Sequence, residues 1–495
     1  MTLSISRRGL VGGVGAALAV VAFDPTTRTW LTTAHAKSDA DASASCDDAL
    51  TIPYLDGELT TDAAAIAEAS GDFGNIVSRA PRAVLRPGSE RDIERLIHFC
   101  FRHRIQVAMR GQGHAAFGEA QAECGVVIDS RTLNSIHSIG PEGAVVDAGV
   151  TWRELTSAAL EQGLTPLVLA DYLDLSVGGV LSVGGIGGNM NQVGSVADNV
   201  LELQVVTGRG RHLYASRYQR RRVFESFLGG LGQFGVITQA KIPLGPAPEF
   251  VRIYELTYTN LHAYLEDQRT LVSAARFGYH EGQIVPAAGG GWNYKIEVGA
   301  YYSQSEPPVD ALLLDGLSPD AGVVQTDFPY FAWLDRVSVA EAALRAAGLW
   351  QTPNPWSDLF IPDRNVESYL TNDVIPFLTP EQVGAGLVLL YPFRNELNRR
   401  PLFTLPRGRV TWAFDILRFP FDPSPEMTNA LLEENRRLFD TAVASRGKQY
   451  PIGALELSQQ DWVTHYGSNY PDVVRRKRRF DPRNIMTPGQ GVFPT

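Results

Sequence analysis

The chain has 495 residues, 44% hydrophobic and 20% charged, with 54 acidic against 44 basic side chains and a formal charge of −10. This balance excludes a disordered chain and a many-span membrane protein, and it argues against nucleic acid as a partner. One ordinary core does not suffice at this length, so an enzyme of more than one lobe is expected.

The first 36 residues read as a leader. Ser6-Arg7-Arg8-Gly9-Leu10-Val11 looks like a twin-arginine export signal, and the apolar stretch from Leu10 to Phe23 is too short for a stable membrane span. Ala34-His35-Ala36 supplies a small-residue cleavage site. The expectation is export by the twin-arginine route to the periplasm or the extracellular space; the alternative is an uncleaved N-terminal anchor. That route carries folded chains, which suits a protein loaded with a cofactor before it leaves the cytoplasm. Cys46, Cys100 and Cys124 are odd in number, and their spacing fits neither a disulfide framework nor a zinc site. No metal and no catalytic thiol are expected.

Ser89 and Asp92 read as a capping pair opening a helix, with Ile93, Leu96, Ile97 and Cys100 at helical spacing to about Phe101. Ile105 to Met109 reads as a buried strand leading into Arg110-Gly111-Gln112-Gly113-His114-Ala115-Ala116-Phe117-Gly118. Glycines at alternate positions permit positive φ and let backbone N–H groups converge on a pyrophosphate, while the imidazole is delivered to a fixed point. Strands are expected at Val126 to Ile128 and Val145 to Ala148, then a helix from Trp152 to Gln162 closed by Gly163. Asp171, within Leu169-Ala170-Asp171-Tyr172-Leu173, lies in an apolar setting that is expected to desolvate it and raise its pKa toward that of a working general base, with Asp174 as a nearby competitor. The cluster Gly184-Gly185-Ile186-Gly187-Gly188 lacks the following helix and the βαβ context of a dinucleotide fingerprint, so a nicotinamide-binding doubly wound domain is rejected.

Pro243-Leu244-Gly245-Pro246-Ala247-Pro248 marks a lobe boundary, because prolines resist continuation of helix or strand. Beyond it the chain is rich in aromatics, among them Tyr301-Tyr302, Tyr330-Phe331, Trp333, Trp350 and Trp356. Most belong to the core and a few could line a flat pocket. The basic runs Arg220-Arg221-Arg222 and Arg475-Arg476-Lys477-Arg478-Arg479 read as solvated faces without a ligand.

The glycine loop and the segment after it resemble the flavin loop of the vanillyl-alcohol-oxidase type of FAD enzymes. Further blocks narrow the resemblance to the cytokinin dehydrogenases: Asp72-Phe73-Gly74-Asn75, Asp171-Tyr172-Leu173, Val177-Gly178-Gly179, Leu228-Gly229-Gly230-Leu231-Gly232-Gln233-Phe234-Gly235, Pro355-Trp356, Lys448-Gln449-Tyr450 and Thr487-Pro488-Gly489-Gln490. The resemblance covers nearly the whole mature chain. It implies an α+β, two-lobed fold with a discontinuous flavin lobe: FAD-binding residues 37–245, a substrate lobe at 250–440 and a return segment at 441–495. It implies FAD bonded covalently through His114 alone, since Gly178 to Gly188 holds no cysteine for a second bond. Flavin contacts are implied for Arg110, Gly111, Gln112, Gly113, His114, Ala115, Glu119, Asp171, Tyr172, Ser182, Gly184, Gly187, Ile237, Tyr450 and Gln490. Substrate contacts are implied for Asp171, Ala332, Trp350 and Pro451, with Asp171 the base beside a small N6-substituted adenine or similar secondary amine. Oxygen or a quinone would reoxidise the flavin.

The chain departs from that pattern. Ala332 stands where the family has a substrate-binding glutamate, Pro451 where it has leucine, Ala115 where it has serine and Glu119 where it has glutamine. The missing glutamate leaves open an alcohol or carbohydrate oxidase on the same fold, or a non-catalytic flavin carrier.

Overall fold

The computed structural model describes residues 20–24, 29–32 and 50–494. Up to Pro53 the chain is a unit of its own, in which Val20–Asp24, Thr29–Thr32 and Leu50–Thr51 pair as an antiparallel sheet. The twin arginines, the Ala-His-Ala site and Cys46 lie outside the described residues. No helix among the described residues is long and apolar enough to cross a membrane, and no group of three or more potential metal ligands occurs among them.

From Tyr54 onward three main sheets carry the fold. The first has four strands in the order Glu58–Thr60, Ala83–Arg86, Val126–Asp129, Val107–Arg110, with the last three parallel. The helix Glu90–His103 makes its crossover. Ser89 stands at the helix N-cap, but the expected capping pair does not form: the Ser89 hydroxyl donates to Asp56, and Asp92 turns inward to accept from the backbone N–H groups of Asp56, Gly57 and Gly88 at 2.7, 2.7 and 2.9 Å. A buried carboxylate is better satisfied by three amides than by one hydroxyl. The next helix is Trp152–Leu160, opened by a capping box of Thr151 and Glu154.

The second sheet has five antiparallel strands, His212–Ser216, Glu202–Thr207, Gly235–Ile242, Ala144–Asp147 and Ile136–Ser138. The proline-rich stretch was expected to resist strand formation, yet Leu244–Pro246 pairs with Leu164–Pro166. In a two-stranded ribbon every strand is an edge, where proline is tolerated. Beyond this ribbon the chain enters the third sheet, eight antiparallel strands in the order Val323–Pro329, Phe250–Tyr258, Trp292–Tyr302, Tyr279–Pro286, Leu387–Arg394, Val410–Leu417, Ser357–Pro362 and Lys448–Gln449. At the C-terminus Ile485 to Thr487 runs beside Val107, extending the first sheet.

Strand alternation sorts the large sheet into two faces. Leu256, Ile296, Val298, Leu390, Trp412, Phe414, Leu359 and Ile361 belong to the main apolar core. On the opposite face stand Tyr279, Glu281, Glu297, Tyr391, Asp415, Asp358 and Phe360. This polar face, opposite the main core, carries the acidic half of the candidate site.

Candidate active site

His114 sits in a nest of aromatic rings. Phe73 stacks on it at 4.1 Å between centroids, Tyr172 lies at 5.0 Å, Trp356 at 5.6 Å and Trp350 at 5.9 Å. Neither ring nitrogen has a hydrogen-bond partner among the described residues. Burial, with a smaller contribution from Arg345, pushes the imidazole pKa down to about 3, so at neutral pH it presents a free lone pair. The loop is fixed from both sides. Phe73 N–H donates to Gly113 O and Gly74 N–H to Ala115 O. Asn75 and Asn354 tie that strap to the Trp350 segment, through Asn75 Nδ2 to Thr352 O at 3.1 Å and Asn354 N to Gly74 O at 2.9 Å. Gly113 has φ of +74°, and a Cβ there would collide with the Arg110 guanidinium, so glycine is required. Gly118 N–H donates to Asp72 Oδ2 at 2.7 Å.

Asp171 is not in the apolar setting expected of it. Arg336 Nη2 donates to its Oδ1 at 2.6 Å, and the side chain is 30% exposed. Arg336 is held over the Trp333 ring at 4.4 Å and the Tyr279 ring at 5.0 Å, and also donates to Tyr279 OH at 2.9 Å. Beside Asp171 lies Glu281, whose carboxyl is pushed well up by burial and then by the Asp171 charge. The shift favours the protonated form of Glu281 next to Asp171 and its guanidinium partner, an arrangement able to take up a proton and to keep it. Asp174 does not compete: Arg153 holds it at 2.6 and 2.8 Å. Tyr172 OH donates to Glu341 Oε2 at 2.6 Å. Arg345 bonds Glu341 and lies over Trp350 at 4.8 Å, linking this network to the His114 nest.

Further along the polar face, Asp358 and Asp415 are direct cross-strand neighbours. Burial pushes Asp358 up to about 8 and raises Asp415 well above the usual carboxylate range. Asp358 Oδ2, Asp415 Oδ1 and Gln449 Oε1 are buried without a hydrogen-bond partner. Tyr450, stacked on Phe360 at 5.2 Å, accepts from Gly185 N–H at 3.2 Å. Glu119, whose Oε2 accepts from Phe117 N–H at 2.7 Å, is pushed up to about 8 by burial. It lines a cavity of about 300 Å³ together with Pro451 and Gln490. A Cβ on Gly489 would meet Gly118 O at 2.0 Å, so that glycine lets the C-terminal turn close on the loop.

The remaining residues are more scattered. Gly111 packs against Ser176 Oγ, which caps the helix Val177–Val183. Ser182 Oγ turns back to Gly178 O, and Gly184, with φ of +115°, ends that helix against Phe403. Gly187 packs on Leu169 O beside Asp171. Gln112 is exposed and Ile237 is buried in the five-stranded sheet. Ala332 is exposed on the short helix Tyr330–Leu334, next to the Trp333 that shelves Arg336. Arg336, Glu281, Glu341, Asp358 and Asp415 were given no role in the sequence reading. The one signal available was a carboxyl at an inward position of an otherwise buried strand.

Residues 283–493 match the family model for cytokinin dehydrogenase FAD and cytokinin binding, and residues 81–216 match that of an FAD binding domain. Cytokinin dehydrogenase 2 of Arabidopsis thaliana is 34% identical across 88% of this chain and 93% of its own length. Cytokinin dehydrogenase 6 of Oryza sativa subsp. japonica is 36% identical across 88% and 91%. An uncharacterized oxidoreductase of the fasciation locus of Rhodococcoides fascians is 35% identical across 88% and 99%. The crystal structure of a VAO-type flavoprotein from Myceliophthora thermophila aligns with a TM-score of 0.67 at 19% identity, covering 86% of each chain, which establishes the shared α+β fold. With an FAD-binding domain, this fold and relatives above 30% identity over most of its length, the chain belongs to the cytokinin dehydrogenase family of FAD-binding oxidoreductases.

Proposed function

We propose that the protein oxidises the side chain of an N6-substituted adenine or a similar secondary amine, removing hydride from the carbon next to nitrogen. The observation that carries this reading is Asp171, held by Arg336 at 2.6 Å beside Glu281, whose carboxyl burial pushes well above the usual range. The chain fits the flavin. A glycine-spaced loop delivers an unprotonated imidazole, and Trp356 Nε1, Gln449 Oε1 and Asp358 Oδ2 are buried polar atoms without partners. Covalent attachment is assigned to His114, and the flavin lobe to residues 37–245 and 441–495 around a substrate lobe at 250–440.

Bound FAD supplies the two-electron acceptor that takes up the hydride. Asp171 accepts a hydrogen bond from the amine N–H and takes its proton as the C=N bond forms, while Arg336 fixes the carboxylate oxygen that does not receive it. Burial of Glu281 favours its protonated form, in which it can donate toward Asp171. Water then hydrolyses the imine to an aldehyde and a free amine. Ala332 leaves the adenine without the acidic partner found in the family, so specificity falls on Trp350, Pro451 and the Arg336 shelf. Export by the twin-arginine route, to the periplasm or beyond the cell, is part of the same proposal.

The test is anaerobic reduction of the holoprotein by isopentenyladenine, a primary alcohol and a sugar. The amine is expected to bleach the flavin. Asp171→Asn is expected to keep the flavin and slow its reduction at least ~100-fold. Bleaching by the alcohol or sugar alone, or an unaltered rate in the variant, refutes the reading.

A further inference from the structure

The two basic runs that read in sequence as solvated faces meet in the fold. Arg220 and Arg222, at the start of the helix Arg221–Phe227, and Arg479, at the end of the helix Tyr470–Phe480, line one cavity of about 460 Å³. Arg209 and Arg211 join them from the hairpin between the strands Glu202–Thr207 and His212–Ser216. Five arginines therefore contribute to the lining of one space, and no acidic residue does.

Their neutralisation is incomplete. Arg222 pairs with Asp472 at 2.8 Å, but Asp472 is shared with Arg475 and Arg476. Arg220 donates to the backbone oxygen of Tyr214 at 3.0 Å, which carries no full charge. Arg211 and Arg479 have no ion pair among the described residues, and Arg209 Nε is buried without a hydrogen-bond partner. The floor is apolar, made by Leu213, Val223 and Phe480. A low-dielectric floor under pooled positive charge concentrates the field inside the cavity. In a chain whose net charge is −10, such a pool runs against the composition.

We infer that this cavity binds a compact polyphosphate anion of the pyrophosphate class. The guanidinium fork matches pairs of phosphate oxygens, and several forks around one space match an anion with several such pairs. An extended polyanion is disfavoured, because the net charge of −10 repels it wherever it leaves the cavity. The lining shares no residue with the His114 and Asp171 site, so the inference stands whatever that site oxidises.

The test is isothermal titration of the full-length holoprotein with inorganic pyrophosphate at fixed ionic strength, alongside orthophosphate and a short DNA duplex. Pyrophosphate is expected to saturate a single site at least ~10-fold more tightly than orthophosphate. Arg209→Ala and the exposed Arg479→Glu are each expected to weaken it at least ~10-fold while the flavin spectrum stays unchanged. Failure to saturate, or equal affinity in both variants, overturns the inference, the second by placing the anion elsewhere. DNA binding tighter than pyrophosphate overturns it as well, by making the arginines part of a nucleic-acid track.

Discussion

Glu119→Gln is expected to stabilise the protein in a way that depends on pH. Glu119 accepts from Phe117 N–H through Oε2, and burial raises its pKa from 4.5 to about 8. The folded pKa lies above the unfolded one, so the associated stability is fully present below about pH 4.5 and is lost as pH rises toward 8. At pH 7.5 three pH units at about 1.4 kcal/mol each give a ceiling near 4 kcal/mol, and roughly half of that survives because the side chain is only half-buried. Glutamine copies the protonated acid, keeps an oxygen for Phe117 N–H and does not titrate. Its advantage should therefore be near zero at pH 4.5 and about 2 kcal/mol at pH 7.5, without further growth above pH 8. At about 2.1 cal/mol/K per residue a chain of this length has an unfolding entropy near 1 kcal/mol/K, so the advantage amounts to a Tm difference of about 2 °C. Melting both holoproteins at one scan rate from pH 4.5 to 9 measures it. An offset that is constant with pH, or that shrinks as pH rises, refutes the assignment of a protonated Glu119.

Asp92→Ala strips the acceptor from three backbone N–H groups, and is expected to lower stability by about 3 kcal/mol in thermal unfolding; a loss under about 1 kcal/mol would show that water replaces the carboxylate. Arg336→Met removes the counterion of Asp171 and should slow anaerobic flavin reduction at least ~10-fold with flavin content unchanged, so an unaltered rate excludes Arg336 as a positioning residue. His280 and His465 are both buried, which pushes their pKa values down to about 3. The unfolded chain protonates them first, so stability falls as pH drops from about 6.5 toward 3, by up to about 1.4 kcal/mol per pH unit for each. Denaturant titrations at pH 6.5 and 5 of the wild type and of a His280→Gln, His465→Gln double variant check this, and equal acid sensitivity would remove the two imidazoles as its source.

What the sequence revealed was local. The strand before the glycine loop, the loop and the positive φ at Gly113 and Gly118 follow from neighbouring residues, as does the helix that begins at Trp152. The role of Asp92 was misread because its amide partners at Asp56 and Gly57 lie a crossover away. The setting of Asp171 was misjudged, since Arg336 reaches it from 165 residues further along the chain. Glu281 was invisible for a related reason. Alternation shows which face of a strand a side chain takes, but not that the opposing surface brings another carboxyl. The two arginine runs looked like solvent-facing helix ends because nothing local shows that they face each other.

The aromatic nest of His114 has a consequence for the order in which the molecule matures. Phe73 precedes the histidine in the chain, but Trp350 and Trp356 are made long after it, and Asn75 and Asn354 help to dock their segment. Until that late segment folds back, the imidazole lacks part of the burial that lowers its pKa. Its enclosure among four aromatic rings, and with it the lowered pKa, is a property of the finished tertiary structure, and a chain ending before Trp350 lacks two of those rings.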